Sequence, residues 1–419
     1  MINTRGRRFV CAVVAALAVG GAAACTSPSS AAGPAPSPAG SVSASPDKNA
    51  PAAEAQAAIE GILEAQSAAL VKGDLAAYLA PAAGYPAVEK VLKQRFTALR
   101  ALRVSDVRQT IAVGPSPGGE PDRWSTEIGM AYCLGAPGCK SVGPISSTAF
   151  VRTPAGFRIA DLDQTTDGPR PWEVSDLVVR FGKRVVVATT KPYAKDLPTA
   201  LRLADAAATV ADKFSLGETK PYRYVVYLAG QKEWKAWYDN TSFDDSYIGF
   251  AVPRRIEGTD LVLRLKASPI GETGMLLRHE MTHVASGANA ALSDYDGSAW
   301  WLNEGLAELA GENGAALGDY GRREDVRRYL GKNSYKGDLA TAWPSEKATD
   351  DVISAKYGIA YYATRCIDEK YGRKKLMALV DALVRHDASG ADAAPTALGA
   401  SWKTVQSTCL SYTRRAVGL

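Results

Sequence analysis

Three side chains in the segment RHEMTH have the types and spacing of a metal site: His279, Glu280 and His283. In a helix, residues four apart stack on one face, so both imidazoles can reach one ion. Glu280 projects to the side, where it can handle the proton of a water at that ion. MLLRHEMTHVA has no internal Gly or Pro and Gly287 follows as a stop, so a helix is expected. Two core histidines on a helix would be the bland alternative, but they leave the glutamate between them unexplained.

A catalytic zinc needs a third protein ligand and an open fourth position. Metzincin-type spacing would place Gly and His at positions held by Ser286 and Asn289, which excludes that arrangement. The segment SAWWLNEGLAELAGENG reads as a second helix with Glu304, Glu308 and Glu312 spaced four apart. Such a row costs a few tenths of a kcal/mol per pair on a bare helix, and a facing cation reverses the sign. The turn-rich ALSDYDG between the two helices can return the chain, and its Asp294 and Asp296 are rival third ligands. The third histidine of the chain, His386 in VRHDASG, is expected at the surface.

HEMTH followed by WLNEGLAE resembles the gluzincin metallopeptidases, the thermolysin-like and aminopeptidase N-like group. The resemblance covers roughly residues 178–419, with its sharp motifs at 279–308 and a weaker one at 357–372. It implies one Zn²⁺ on His279, His283 and Glu304, with Glu280 as general base. Glu308 falls where that group carries a carboxylate that orients a ligand histidine. KYGIAYYATRCIDEKYG is similar to the aminopeptidase N-like helix that opens with Tyr-x-x-Gly and closes on Gly. That match makes Tyr357 the candidate oxyanion donor, with Gly372 closing the helix, although Ala360 stands where the first glycine would be. Tyr361 and Tyr362 compete with it for that role. The resemblance also implies an exposed strand ahead of the first helix, beside which a peptide or protein substrate would lie, and TDLVLRLKA occupies that place. Trp300 and Trp301 are candidates for a subsite wall or for core.

The elements that must position this site read as α+β. Residues 53–110 show apolar positions every three or four residues, broken at Gly73-Asp74. VSDVRQTIAVG, DRWSTEIGMAYCL, SSTAFVRT and FRIADLDQ then read as an antiparallel sheet, together similar in pattern to nuclear-transport-factor-like domains. After the turn-rich DQTTDGPRPWE, strands and helices alternate in a mixed sheet, and from Glu272 onward the chain is mostly helical. The expected organisation is a signal peptide at 1–24, a tether at 25–52, an accessory domain at 53–170 and a metallopeptidase-like domain at 178–419.

MINTRGRR followed by an apolar stretch ending in Ala22-Ala23-Ala24 reads as an export signal. AAAC resembles a bacterial lipobox, with Ala22 where Leu is typical, and makes Cys25 the expected lipid anchor to the outer face of the cytoplasmic membrane. Cleavage without lipidation would give a secreted protein. The Ser/Pro/Ala-rich stretch that follows suits a flexible tether. Arg7-Arg8 raises twin-arginine export, with Phe9 one place early for that signal. Cys133, Cys139, Cys366 and Cys409 remain, an even number in an exported chain, and sequence proximity suggests Cys133–Cys139 and Cys366–Cys409. The net charge of +5 includes Arg5, Arg7 and Arg8 of the signal, so nothing points to a nucleic-acid partner, and a monomer is expected. Two readings of other classes compete with the peptidase: a surface lipoprotein that binds without cutting, and an interaction protein whose zinc only braces the fold.

Overall fold

The computed structural model describes residues 10–13, 50–135, 143–165, 168–216, 221–239, 247–253, 259–265, 270–287, 297–332, 335–341, 343–345 and 347–419. Cys25, nearly all of the tether, Cys139, Asp294 and Asp296 lie outside them.

A short strand, β1 (Val10–Val13), precedes three helices, α1 (Ala50–Lys72), α2 (Leu75–Leu79) and α3 (Pro86–Ala101). Gly73, at φ +83°, ends α1, and Asp74 then caps α2 by accepting from the Ala77 N–H. Strands β2 (Val104–Pro117), β3 (Arg123–Leu134), β4 (Ile145–Thr153) and β5 (Gly156–Thr165) follow as an antiparallel sheet in sequential order. Along β3, Trp124, Ile128, Met130 and Tyr132 alternate inward, the period of a strand with one buried face. Helix α1 packs along β2, closing an N-terminal α+β unit.

The second sheet is mixed. After α4 (Pro171–Val174) come β6 (Leu177–Phe181), β7 (Val185–Thr190), α5 (Leu197–Ala211), β8 (Tyr224–Ala229), α6 (Gln231–Ala236), β9 (Tyr247–Pro253) and β10 (Thr259–Arg264). The strand order is β1-β9-β10-β8-β7-β6, with β8 parallel to both β7 and β10. TDLVLRLKA therefore does not form the exposed strand expected of it. Its strand β10 lies between β8 and β9, because β9 pairs antiparallel with it on the side away from β8. β1, from the segment read as a signal, runs parallel to β9 on the far side.

Strands β7 and β8 are buried on both faces, which is why their sequences are nearly continuous apolar runs. One face, with Val185, Val187 and Val226, packs on the alanines of α5 and on Leu277 and Met281. The other, with Val186, Val225 and Tyr227, shares one continuous core with Trp172, Trp237 and the α1–α3 unit. Arg95 of α3 and Glu173 of α4 form a buried ion pair at that seam, 2.6 Å apart.

The chain then becomes helical: α7 (Gly274–Ser286), α8 (Trp300–Glu312), α9 (Arg323–Lys332), α10 (Asp350–Tyr371), α11 (Arg373–Val380), α12 (Gly390–Leu398) and α13 (Trp402–Val417). α7 lies against α5 on one side and α8 on the other. α8 and α10 approach closely at Gly305, where an added Cβ would sit 2.2 Å from Thr364 Oγ1 and 2.4 Å from the Ala360 carbonyl oxygen. Helix α10 closes at Gly372 as expected, but it opens at Asp350 rather than at Tyr357, with Asp350 and Asp351 in its first turn. Acidic side chains there favour the start of a helix. A Cys366–Cys409 disulfide joins α10 to α13. Cys133 is also disulfide-bonded, and its expected partner Cys139 is outside the described residues. Among the described residues no helix is long and apolar enough to cross a membrane.

Candidate metal centre

Helices α7 and α8 run through the interior, so their polar residues are costly to bury unless something compensates them. Every residue from Trp300 to Gly311 is buried, as are His279 through Ser286. In this setting the helical period turns His279 and His283 to α8, and α8 presents Glu304 to them.

His279 Nε2 and His283 Nε2 are 3.2 Å apart, and Glu304 Oε2 lies 3.3 Å from the first and 3.6 Å from the second. Two ligands about 2.0–2.1 Å from a tetrahedral ion are separated by about 3.3 Å. The three atoms thus have the spacing of one face of a zinc tetrahedron. This is a zinc-peptidase site.

The electrostatics of the zinc site favour a cation. Glu280 and Glu304 are at most 4% exposed, so neutral imidazoles would leave their buried negative charge uncompensated. Both carboxylate oxygens of Glu280, and Oε2 of Glu304, make no hydrogen bond among the described residues. At His279 burial disfavours the imidazolium, yet Glu304, Glu308 and Glu280 outweigh it and raise the pKa. Burial would raise the Glu304 carboxyl, yet His283 and His279 hold it below the usual carboxylate range.

Around the zinc site sits a layer of polar contacts. Glu308 Oε1 lies 3.5 Å from His279 Nδ1, the ring nitrogen turned away from Glu304. Tyr320 donates to Glu308 Oε2 at 2.5 Å, and Arg322 Nη2 lies 3.5 Å from Oε1. Burial first, and then Glu308, raises the Tyr320 phenol well above its ordinary value, so it stays a donor. Arg278, next to His279 in sequence, reaches back to the C-terminal end of α8, donating from Nε to the Gly311 carbonyl at 2.9 Å. Tyr320, Arg322 and Arg278 carried no signal in the sequence: none belongs to a motif, and the first two reach Glu308 from outside α8.

Of the acidic row on α8, Glu304 faces the two histidines, Glu308 the far side of His279, and Glu312 is within electrostatic reach of Arg278. The two tryptophans separate. Trp301 packs against Trp402, whereas Trp300 sits edge-on to Tyr357 and to the half-exposed Trp343. Tyr357 is 5% exposed, with the Arg322 guanidinium 5.0 Å from its ring centre. Tyr361 accepts from Arg365 Nη1 at 2.6 Å, and Tyr362 donates to the Leu317 carbonyl at 3.1 Å. His386 is exposed, as expected. No protein-family model matches this chain, and no curated protein is significantly similar to it.

Proposed function

We propose that the protein is a gluzincin-type peptidase that hydrolyses peptide bonds with zinc on His279, His283 and Glu304. The three ligand-atom separations, each near the edge of a zinc tetrahedron, carry this reading. Zinc held there supplies Lewis acidity to a water and to the scissile carbonyl.

Glu280 is the general base. Its buried carboxylate has no hydrogen-bond partner among the described residues, which supports its being kept for a proton arriving from a water. It holds that proton and passes it to the leaving amine. Tyr357 is the proposed donor to the oxyanion, from its place in the helix similar to the aminopeptidase N-like one. Glu308 orients His279 through Nδ1.

Export and a lipid anchor on Cys25 complete the proposal, and the Cys366–Cys409 disulfide supports an oxidising compartment. The N-terminal unit, proposed as an accessory domain at 53–170 of nuclear-transport-factor-like form, would then stand between the tether and the peptidase domain at 178–419.

The test uses residues 50–419, loaded with zinc, on a mixed peptide library read by mass spectrometry, beside Glu280→Gln. Glu280→Gln should keep zinc one-to-one and lose roughly 10²–10⁴-fold in cleavage rate. Equal cleavage by both proteins would remove Glu280 as the base. A zinc-loaded parent that cuts nothing would favour the non-cutting surface protein.

A further inference from the structure

We infer that Tyr320 and Arg322 are positioning residues for the zinc site: together they clamp the Glu308 carboxylate so that it holds His279 in the ligating tautomer. The inference rests on reading the His279–His283–Glu304 triad as a zinc site and on nothing about substrate.

Glu308 is a buried side chain with three neighbours arranged around its two oxygens. Oε2 accepts the Tyr320 O–H at 2.5 Å. Oε1 lies 3.5 Å from Arg322 Nη2 and 3.5 Å from His279 Nδ1. Tyr320 supplies a donor and Arg322 an opposite charge to this buried side chain, and together they hold the carboxylate in place. With Oε2 taken by the Tyr320 O–H, Oε1 faces His279 Nδ1 as an acceptor, and a proton on Nδ1 leaves the lone pair on Nε2 beside Glu304 and His283. Without the two clamping groups the Glu308 carboxylate would be free to turn away, and His279 would lose the partner that selects this tautomer.

The clamp is itself braced. The Tyr320 ring stacks on Tyr361 of α10 at 4.0 Å. The Arg322 guanidinium sits over the Tyr357 ring, and its Nη1 lies 3.4 Å from Ser354 Oγ, which donates to Asp325 at 2.6 Å. Arg322 therefore links the carboxylate behind a zinc ligand to the aromatic ring proposed for the oxyanion. A one-turn shift of α10 would disturb both.

Tyr320→Phe removes the O–H and keeps the stacked ring, and Arg322→Met removes the charge while keeping most of the bulk. Zinc affinity of each folded variant is measured by competition with a chromogenic chelator, in the parent and in a Glu308→Gln background. Each variant should weaken zinc about tenfold in the parent. In the Glu308→Gln background each should change it by less than about twofold, because the residue they act through has lost its charge. A structural role would instead give the same loss in both backgrounds, and that result, or parent-like affinity in the single variants, overturns the proposal. Cobalt(II) absorption of the single variants is a second readout that needs no Glu308 variant. A displaced d–d band supports the clamp, whereas a parent-like spectrum with parent-like zinc affinity overturns it. None of these measurements uses a peptide, so failure of the peptidase reading would leave the result standing.

Discussion

Glu308 Oε1 lies 3.5 Å from Nδ1 of His279, and Glu304 Oε2 lies 3.3 Å from Nε2 of the same ring. One helix, α8, therefore addresses both nitrogens of a single imidazole with carboxylates one turn apart. Glu308→Gln keeps the size and removes the charge, so zinc affinity should fall by about 10–100-fold while the fold persists. Chelator competition with circular dichroism alongside checks this. An unchanged dissociation constant would deny Glu308 any part in orienting the ligand.

The site also depends on how closely α8 can lie to α10. Gly305, adjacent to Glu304, has no room for a methyl group against Thr364 Oγ1 and the Ala360 carbonyl. Gly305→Ala should destabilise the protein by roughly 1–3 kcal/mol or more, since backbone has to move. Moving α8 also moves Glu304, so zinc binding should weaken in the same variant. Urea unfolding and zinc titration measure the two effects, and parent-like values in both would show that the helices can separate without cost.

Glu312 ends the acidic row and its pKa is pushed up to about 7, by burial first and then by Glu308, against the opposing pull of Arg278, Arg322 and Arg365. A carboxyl raised on folding binds more protons native than unfolded, so stability falls as pH rises from about 4.5 towards 7 and stays lower above it. Glu312→Gln removes that penalty. Its melting temperature relative to the parent should be higher at pH 8 and the advantage should vanish near pH 4. A difference independent of pH would assign the effect to packing.

The disulfide between α10 and α13 closes a loop of 43 residues, with both sulfurs in the core. Chain entropy alone puts its contribution at about 4 kcal/mol. Replacing Cys366 and Cys409 together by Ala should lower the denaturant midpoint accordingly. The folded variant should still bind zinc, because neither cysteine touches a ligand in the contacts described. Loss of zinc at full folding would tie α13 to the site.

What the sequence determined by itself was local. The four-residue spacing of His279 and His283 becomes a shared helix face wherever a helix forms, and a helix was expected from the run free of Gly and Pro. Glu304 and Glu308 were legible for the same reason, each a turn apart on one strongly patterned segment. The antiparallel order of β2 to β5 followed from the alternation along each strand. Tertiary structure alone decided the rest, because those features depend on segments that meet only after the chain has closed long loops. The interior place of β10 comes from β9 folding over it, and periodicity within β10 is identical for an edge and an inner strand. Trp300 and Trp301 are equivalent in the sequence and part only because α8 presents one to Tyr357 and the other to α13. Tyr320 and Arg322 reach Glu308 across a turn that has no period to read. The ligands and Glu308 were visible because helical geometry is local; Tyr320 and Arg322, which brace Glu308, were not, because packing is not.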